Sequence, residues 1–121
     1  MPESPALPQS VLDAFHLMWD SFPEPVQLTH KSRKILAVNK AAARFGLSPG
    51  LFCNQLGKPE QHKGCKANLC LSTGTPQYVS VQKEQREVIA FWLPIEGFED
   101  FFVHFGVGYS LNYQTGEKIV P

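Results

Sequence analysis

Residues 25–46 read PVQLTHKSRKILAVNKAAARFG and contain the signals for two strands and a helix. Val26 and Leu28 flank a polar residue, and this alternation is typical of a half-buried strand. Residues 30–33 are polar and predict a tight turn. The apolar run 35–38 suits a strand covered on both faces, although a buried helix segment has the same pattern.

A short helix is predicted directly after the second strand. Asn39 is a strong helix N-cap because its side-chain oxygen accepts from free backbone N–H groups of the first turn. Residues 40–44, KAAAR, have high helix propensity, and Gly46 can end the helix in a left-handed conformation. Residues 25–46 therefore predict a hairpin followed by a helix that begins after an asparagine.

An amphipathic helix is predicted over residues 10–22, with Ser10 at its N-cap and Pro23 just past its end. Its apolar residues form a wide stripe: Val11, Leu12, Phe15, Met18, Trp19 and Phe22. Such a stripe packs on the sheet of its own domain or on a second copy of the chain. Because it is wider than one sheet face can bury, a homodimer through residues 10–22 is predicted.

Short helices and three strands are predicted in the second half of the chain. One helix starts near Pro49, and a second covers residues 65–73, ended by Gly74. Strands are predicted at 77–83, 88–95 and 101–109 in meander order. Alternation in the last strand places one set of residues on one face, namely Phe101, Val103, Phe105, Val107 and Tyr109. The other face carries Phe102, His104, Gly106 and Gly108.

This order of elements resembles a PAS domain over roughly residues 10–110. The residues that carry the resemblance are Pro25, Val26, Ile35, Val38, Asn39, Ala41 and Ala42, with Gly74 and Pro76 before the third strand. The resemblance implies an α+β fold, in which a five-stranded antiparallel sheet carries short helices on one face and an N-terminal amphipathic helix. It implies a flexible N-terminus at 1–9, the domain at 10–110 and a C-terminal tail at 111–121.

The PAS resemblance also implies a non-catalytic sensory module for signal transduction. Its expected partners are a small-molecule ligand, a second copy of the chain and a separate signalling protein. The sequence contains no hydrolase, zinc-protease or phosphate-loop motif. The residues expected to line its pocket are Phe45, Phe52, Leu56, Leu69, Phe91, Phe102 and His104. The identity of a ligand or cofactor stays open.

The bulk composition argues against nucleic acid and membrane as partners. Lys plus Arg and Asp plus Glu both number 11, so the net charge of zero gives no attraction to either. No apolar run approaches the roughly 20 residues of a membrane span. Residues 1–5 lack the basic start of a secretory signal, so a cytoplasmic location is expected.

Three cysteines and one histidine suggest an alternative function. Cys53, Cys65 and Cys70 are spaced C-x11-C-x4-C, with His62 three residues before the middle cysteine. An odd number of cysteines argues against a disulfide framework, and the close C-x2-C pair common in zinc and iron–sulfur sites is absent. If the segment is irregular, these residues can converge as a metal- or redox-sensing site. Otherwise the thiols pack as small apolar groups.

The same segment argues against flavin and against covalently attached haem, whereas non-covalent haem stays possible through His62. The flavin-binding branch of the PAS family has polar residues around its reactive cysteine, and the sequence around Cys53 lacks them. For haem, His62 is the one histidine in the region of the short helices, and a C-x-x-C-H attachment motif is absent from the sequence.

Overall fold

The structure is a computed structural model that describes residues 7–57 and 62–119 of the chain. Helix α1 (Gln9–Trp19) precedes strands β1 (Val26–His30) and β2 (Ile35–Val38). Helix α2 (Lys40–Arg44), a 3₁₀ turn (Cys53–Gln55) and helix α3 (Ala67–Thr73) come next. Strands β3 (Gln77–Lys83), β4 (Arg86–Pro94) and β5 (Phe101–Val107) follow. No helix in the described ranges is long and apolar enough to cross a bilayer.

The five strands form one antiparallel sheet in the order β2-β1-β5-β4-β3. The predicted five-stranded antiparallel sheet is therefore confirmed. Strand β5 lies at its centre, which explains why both of its faces are rich in apolar and aromatic residues. The register places Gln27 and Trp92 on either side of His104 in one cross-strand row.

Helix α1 covers one face of the sheet, which we call the outer face. Phe15 is 5% exposed and forms the centre of a core that also contains Val26, Leu28, Ala37 and Val103. The Trp19 and Phe22 rings contact Phe105 at centroid distances of 5.1 and 5.8 Å. The stripe residues Phe15, Trp19 and Phe22 thus face the sheet of their own domain.

The ends of α1 differ from the prediction of residues 10–22. The helix begins at Gln9 after Pro8, one residue before the predicted N-cap. It ends at Trp19, whose carbonyl accepts a hydrogen bond from the Asn39 side chain. The Phe22 N–H also donates to Trp19 O in a turn. Residues 20–22 therefore leave the helix before Pro23.

The region near Pro49 forms less helix than its sequence predicts, with one 3₁₀ turn at Cys53–Gln55. Its backbone bonds go to β2 and to the residues just before β2 instead. Ile35 N–H donates to Leu51 O, and Cys53 N–H donates to Arg33 O, each at 2.8–2.9 Å. A segment whose N–H and C=O groups pair with a strand cannot use them in a helix.

Both termini are partly structured. Leu7 packs against the outer-face core, and α1 includes Gln9 from the predicted flexible segment. In the predicted tail, Leu111 pairs with Lys118 and Ile119 N–H donates to Ser110 O. The predictions for residues 1–6 and 120–121 lie outside the described residues.

Candidate functional site

A cavity of about 380 Å³ lies on the inner face of the sheet, opposite α1. The sheet supplies its floor, which includes Gln27, Val79, Ala90, Trp92, Phe102 and His104. The opposite wall comes from the segment between β2 and α3, through Cys53, Leu56, His62 and Cys65. Its volume and largely apolar lining are those of small-molecule sites in proteins.

Strand alternation explains which side chains reach this cavity. Successive residues of a strand point to opposite faces, so Phe102 and His104 face inward while Val103 packs under α1. On β4 the same rule turns Trp92 inward. The Trp92 and His104 rings stack at 4.7 Å with an interplanar angle of 15°. This pair gives the floor a rigid aromatic surface.

His104 is a neutral imidazole with a fixed tautomer. Its Nδ1 lies 2.8 Å from the carbonyl oxygen of Phe91, and since a carbonyl can only accept, Nδ1 carries the proton. Burial lowers the pKa of His104 below its usual 6.5, outweighing the opposing effect of the Phe91 bond. The other ring nitrogen, Nε2, is therefore a hydrogen-bond acceptor at neutral pH.

Tyr109 also lines the cavity. The predicted strand 101–109 would instead place its side chain on the outer face, because side chains alternate along a strand. That prediction is wrong because β5 ends at Val107, and the φ of +99° at Gly108 breaks the alternation of the strand. The Tyr109 ring lies directly over Gly106, where a Cβ atom would overlap it. Burial, with the nearby Glu24 carboxylate, raises the pKa of Tyr109 and keeps its hydroxyl protonated.

Four of the seven residues predicted to line the pocket lie at the inner face. Leu56, Phe102 and His104 line the 380 Å³ cavity. Phe45 lies at a neighbouring cavity of about 310 Å³, which shares Gln27, His104 and Tyr109 with the first. The two cavities are thus separated by polar side chains of the sheet and of the chain after β5.

The other three predicted pocket residues lie elsewhere. Phe91 faces outward and stacks on Phe105 at 5.0 Å, because Trp92 has the inward parity on β4. Phe52 is 36% exposed and pairs with Lys34, the residue before β2. Leu69 is 46% exposed because α3 turns Ala67 and Cys70 toward the sheet. These three are corrections to the predicted lining.

The structure does not bring all four proposed metal ligands together. Cys53, His62 and Cys65 line the 380 Å³ cavity, but Cys70 is buried in a core with Ala67, Trp92 and Phe102. Within residues 7–57 and 62–119, no three His, Cys, Asp or Glu residues are close enough to hold a metal ion. Burial raises the pKa of the Cys53 thiol, which favours the less reactive protonated form.

The comparisons with solved structures agree with this geometry. The PAS domain from Bordetella pertussis BvgS is 17% identical, with a TM-score of 0.62 over 88% of this chain and 91% of that chain. A sensory box sensor histidine kinase from Vibrio cholerae is 14% identical, with a TM-score of 0.60 over 87% and 98%. A PAS domain of an HTR-like protein from Haloarcula marismortui is 13% identical, with a TM-score of 0.50 over 82% and 97%.

Comparison by sequence alone gives no match: no family model and no curated protein matches this chain. The strand order, the inner-face cavity and the solved structures together define the class: the chain has the PAS fold, as its sequence predicts.

Proposed function

We propose that this chain is a non-catalytic sensory module of a signalling system, which binds a small molecule in the inner-face cavity. The observation that carries the proposal is the cavity of about 380 Å³, floored by the stacked Trp92–His104 pair. The likeness to a sensor histidine kinase domain supports a role in signalling. A separate signalling protein would receive the output.

A cytoplasmic location belongs to the same proposal. All three cysteines are free thiols in the structure, and thiols of this kind stay reduced in the cytoplasm. The neutral net charge leaves nucleic acid and anionic membranes without an electrostatic attraction to the module.

The ligand is expected to accompany the protein through purification. Val79 lines the cavity and Ser80, its neighbour on β3, faces away from it. Val79→Phe places a ring in the cavity, so a compound bound there is displaced. Mass spectrometry of the small molecules released by denaturation should detect a compound from the wild type. The same compound should be absent from the Val79→Phe sample.

Ser80→Phe is the matched control, because it adds the same ring to the opposite face of the same strand. The control should release the same compound as the wild type. If all three proteins release nothing, or if Val79→Phe retains the compound, the proposed site is wrong.

Dimerisation through α1 is the second part of the proposal, with a second copy of the chain as partner. Phe15 and Trp19 pack against the sheet, so they do not supply the contact. The helix instead exposes Leu17 and Met18, which are 87% and 74% exposed. A second copy that packs on this side of the helix would remove both apolar side chains from water.

The double change Leu17→Glu with Met18→Glu is expected to give a monomer in sedimentation equilibrium, because four carboxylates would face one another in the dimer. Far-ultraviolet circular dichroism should remain that of the folded wild type. Leu69→Glu, on α3 and 46% exposed before the change, is the control and should leave the dimer intact. A wild-type protein that sediments as a monomer at high concentration contradicts the proposal.

A further inference from the structure

The described lining of the 380 Å³ cavity has no formally charged acid or base. Lys, Arg, Asp and Glu are all absent from the lining residues in the described ranges. The Arg33 guanidinium, which lies over the Phe102 ring, is bonded elsewhere, because it donates to Lys31 O and to Asn68 Oδ1. Among the described lining residues, a charged ligand would lose its hydration without gaining a counter-charge, and that exchange is unfavourable.

His104 gives the floor of the cavity a fixed hydrogen-bond acceptor. Nδ1 of His104 is held by the Phe91 carbonyl, and Nε2 lies on the opposite side of the ring. Among the described residues, Nε2 has no hydrogen-bond partner. A ligand group that donates to Nε2 therefore satisfies a polar atom in a largely apolar site. Such an atom discriminates strongly between a ligand that donates and one that cannot.

The remaining surface favours a flat ligand. Trp92, Phe102, His104 and Tyr109 place four aromatic rings around the cavity. Aromatic rings pack best against other planar rings, in stacked or edge-to-face contacts. The Trp92–His104 stack and the position of Tyr109 over Gly106 hold three of these rings in place.

We propose that the cavity takes an uncharged, planar aromatic molecule whose hydroxyl or ring N–H donates a hydrogen bond to Nε2 of His104. This inference rests on the proposed function, since it names the chemical class of the ligand for the same cavity. It specifies three separable properties: absence of charge, an aromatic plane and a donor.

Three naphthalene probes test these properties by isothermal titration calorimetry at pH 7. Naphthol is uncharged and donates, methoxynaphthalene is uncharged and cannot donate, and naphthoate carries a negative charge. Naphthol should bind, methoxynaphthalene should bind about tenfold more weakly, and naphthoate should bind at least about a hundredfold more weakly. This comparison needs only the wild-type protein.

His104→Phe provides the matching variant, because phenylalanine keeps a ring against Trp92 and removes the acceptor. The variant should bind naphthol only as tightly as the wild type binds methoxynaphthalene. Its affinity for methoxynaphthalene should equal that of the wild type. Equal binding of naphthol and methoxynaphthalene to the wild type, or tight binding of naphthoate, overturns the inference. If none of the probes binds while the wild type releases another compound on denaturation, this ligand class is wrong and the proposed function stands.

Discussion

Replacing Glu24 with alanine is expected to lower the free energy of unfolding by about 3–4 kcal/mol, because the change leaves several buried donors without a partner. Glu24 is 0% exposed. Its carboxylate accepts from the backbone N–H groups of Gly108, Tyr109 and Ser110 and from the Ser110 hydroxyl. These bonds join the linker between α1 and β1 to the chain that leaves β5.

The same segment is held from its other side by Arg86. The Arg86 Nε–H donates to Gly108 O at 2.7 Å, and the Arg86 side chain is largely buried. Gly108 therefore has its N–H bound by a carboxylate and its carbonyl bound by a guanidinium. Charge-assisted bonds of this type are stronger than those between neutral groups. The loss of Glu24 should therefore destabilise the contacts at this end of the sheet.

Urea denaturation followed by circular dichroism would measure the effect of Glu24→Ala. Glu24→Gln should lower the free energy of unfolding by less than Glu24→Ala, because the amide keeps one accepting oxygen. It should still be less stable than the wild type, because its N–H₂ group points at a backbone donor. Glu96→Ala, a change of the same type at an exposed carboxylate, should stay within about 0.5 kcal/mol of the wild type. A Glu24→Ala protein as stable as the Glu96→Ala control would contradict this role.

The second large effect is expected at Asn39, where Asn39→Asp should destabilise the fold by about 3 kcal/mol. Asn39 Oδ1 accepts from the N–H groups of Val26 and Ala42, both at 2.9 Å. Its Nδ2 donates to the carbonyls of Trp19, Phe22 and Glu24 at 3.0, 3.3 and 2.9 Å. An aspartate keeps both accepted bonds but directs a carboxylate oxygen at three carbonyl oxygens.

The comparison between Asn39→Asp and Asn39→Ala separates the two functions of this side chain. The aspartate keeps the cap of α2 and loses the connection to the end of α1, whereas the alanine loses both. Both variants should have an unfolding temperature well below that of the wild type. Asn54→Asp, at an exposed position, is the control and should unfold at the wild-type temperature. If Asn39→Asp unfolds at the wild-type temperature, the donated bonds contribute little.

The fold could be predicted from the sequence because its signals are local. Asn39 caps α2 through Ala42 N–H, as the N-cap rule predicts. The φ of Gly74 is +65° at the end of α3, as its position after the helix indicates. The contact that holds the end of α1 could not be predicted in this way, because it comes from Asn39, which lies 20 residues away in the sequence.

The candidate site was less predictable, since its residues depend on which face of the sheet they reach. Strand β4 is apolar on both faces, so nothing in its pattern distinguishes Phe91, which stacks on Phe105 on the outer face, from Trp92, which lines the cavity. Tyr109 reaches the cavity through the positive φ of Gly108, which ends the alternation of β5. The sequence shows Gln27 as a polar residue between two apolar ones. That it lies opposite His104 follows only from the pairing of β1 with β5.

The two tryptophans of the chain report separately on the two faces of the sheet. Trp92 lines the inner-face cavity, whereas Trp19 contacts Phe105 on the outer face. A ¹H–¹⁵N correlation spectrum records one indole N–H signal for each, and Trp19→Phe assigns them. The measurement is a titration of the labelled protein with naphthol, or with the compound that the wild type releases.

Binding in the inner-face cavity predicts that the Trp92 signal shifts to saturation while the Trp19 signal stays in place. A Trp19 signal that shifts while the Trp92 signal is unchanged would put the ligand on the outer face and contradict the proposed site.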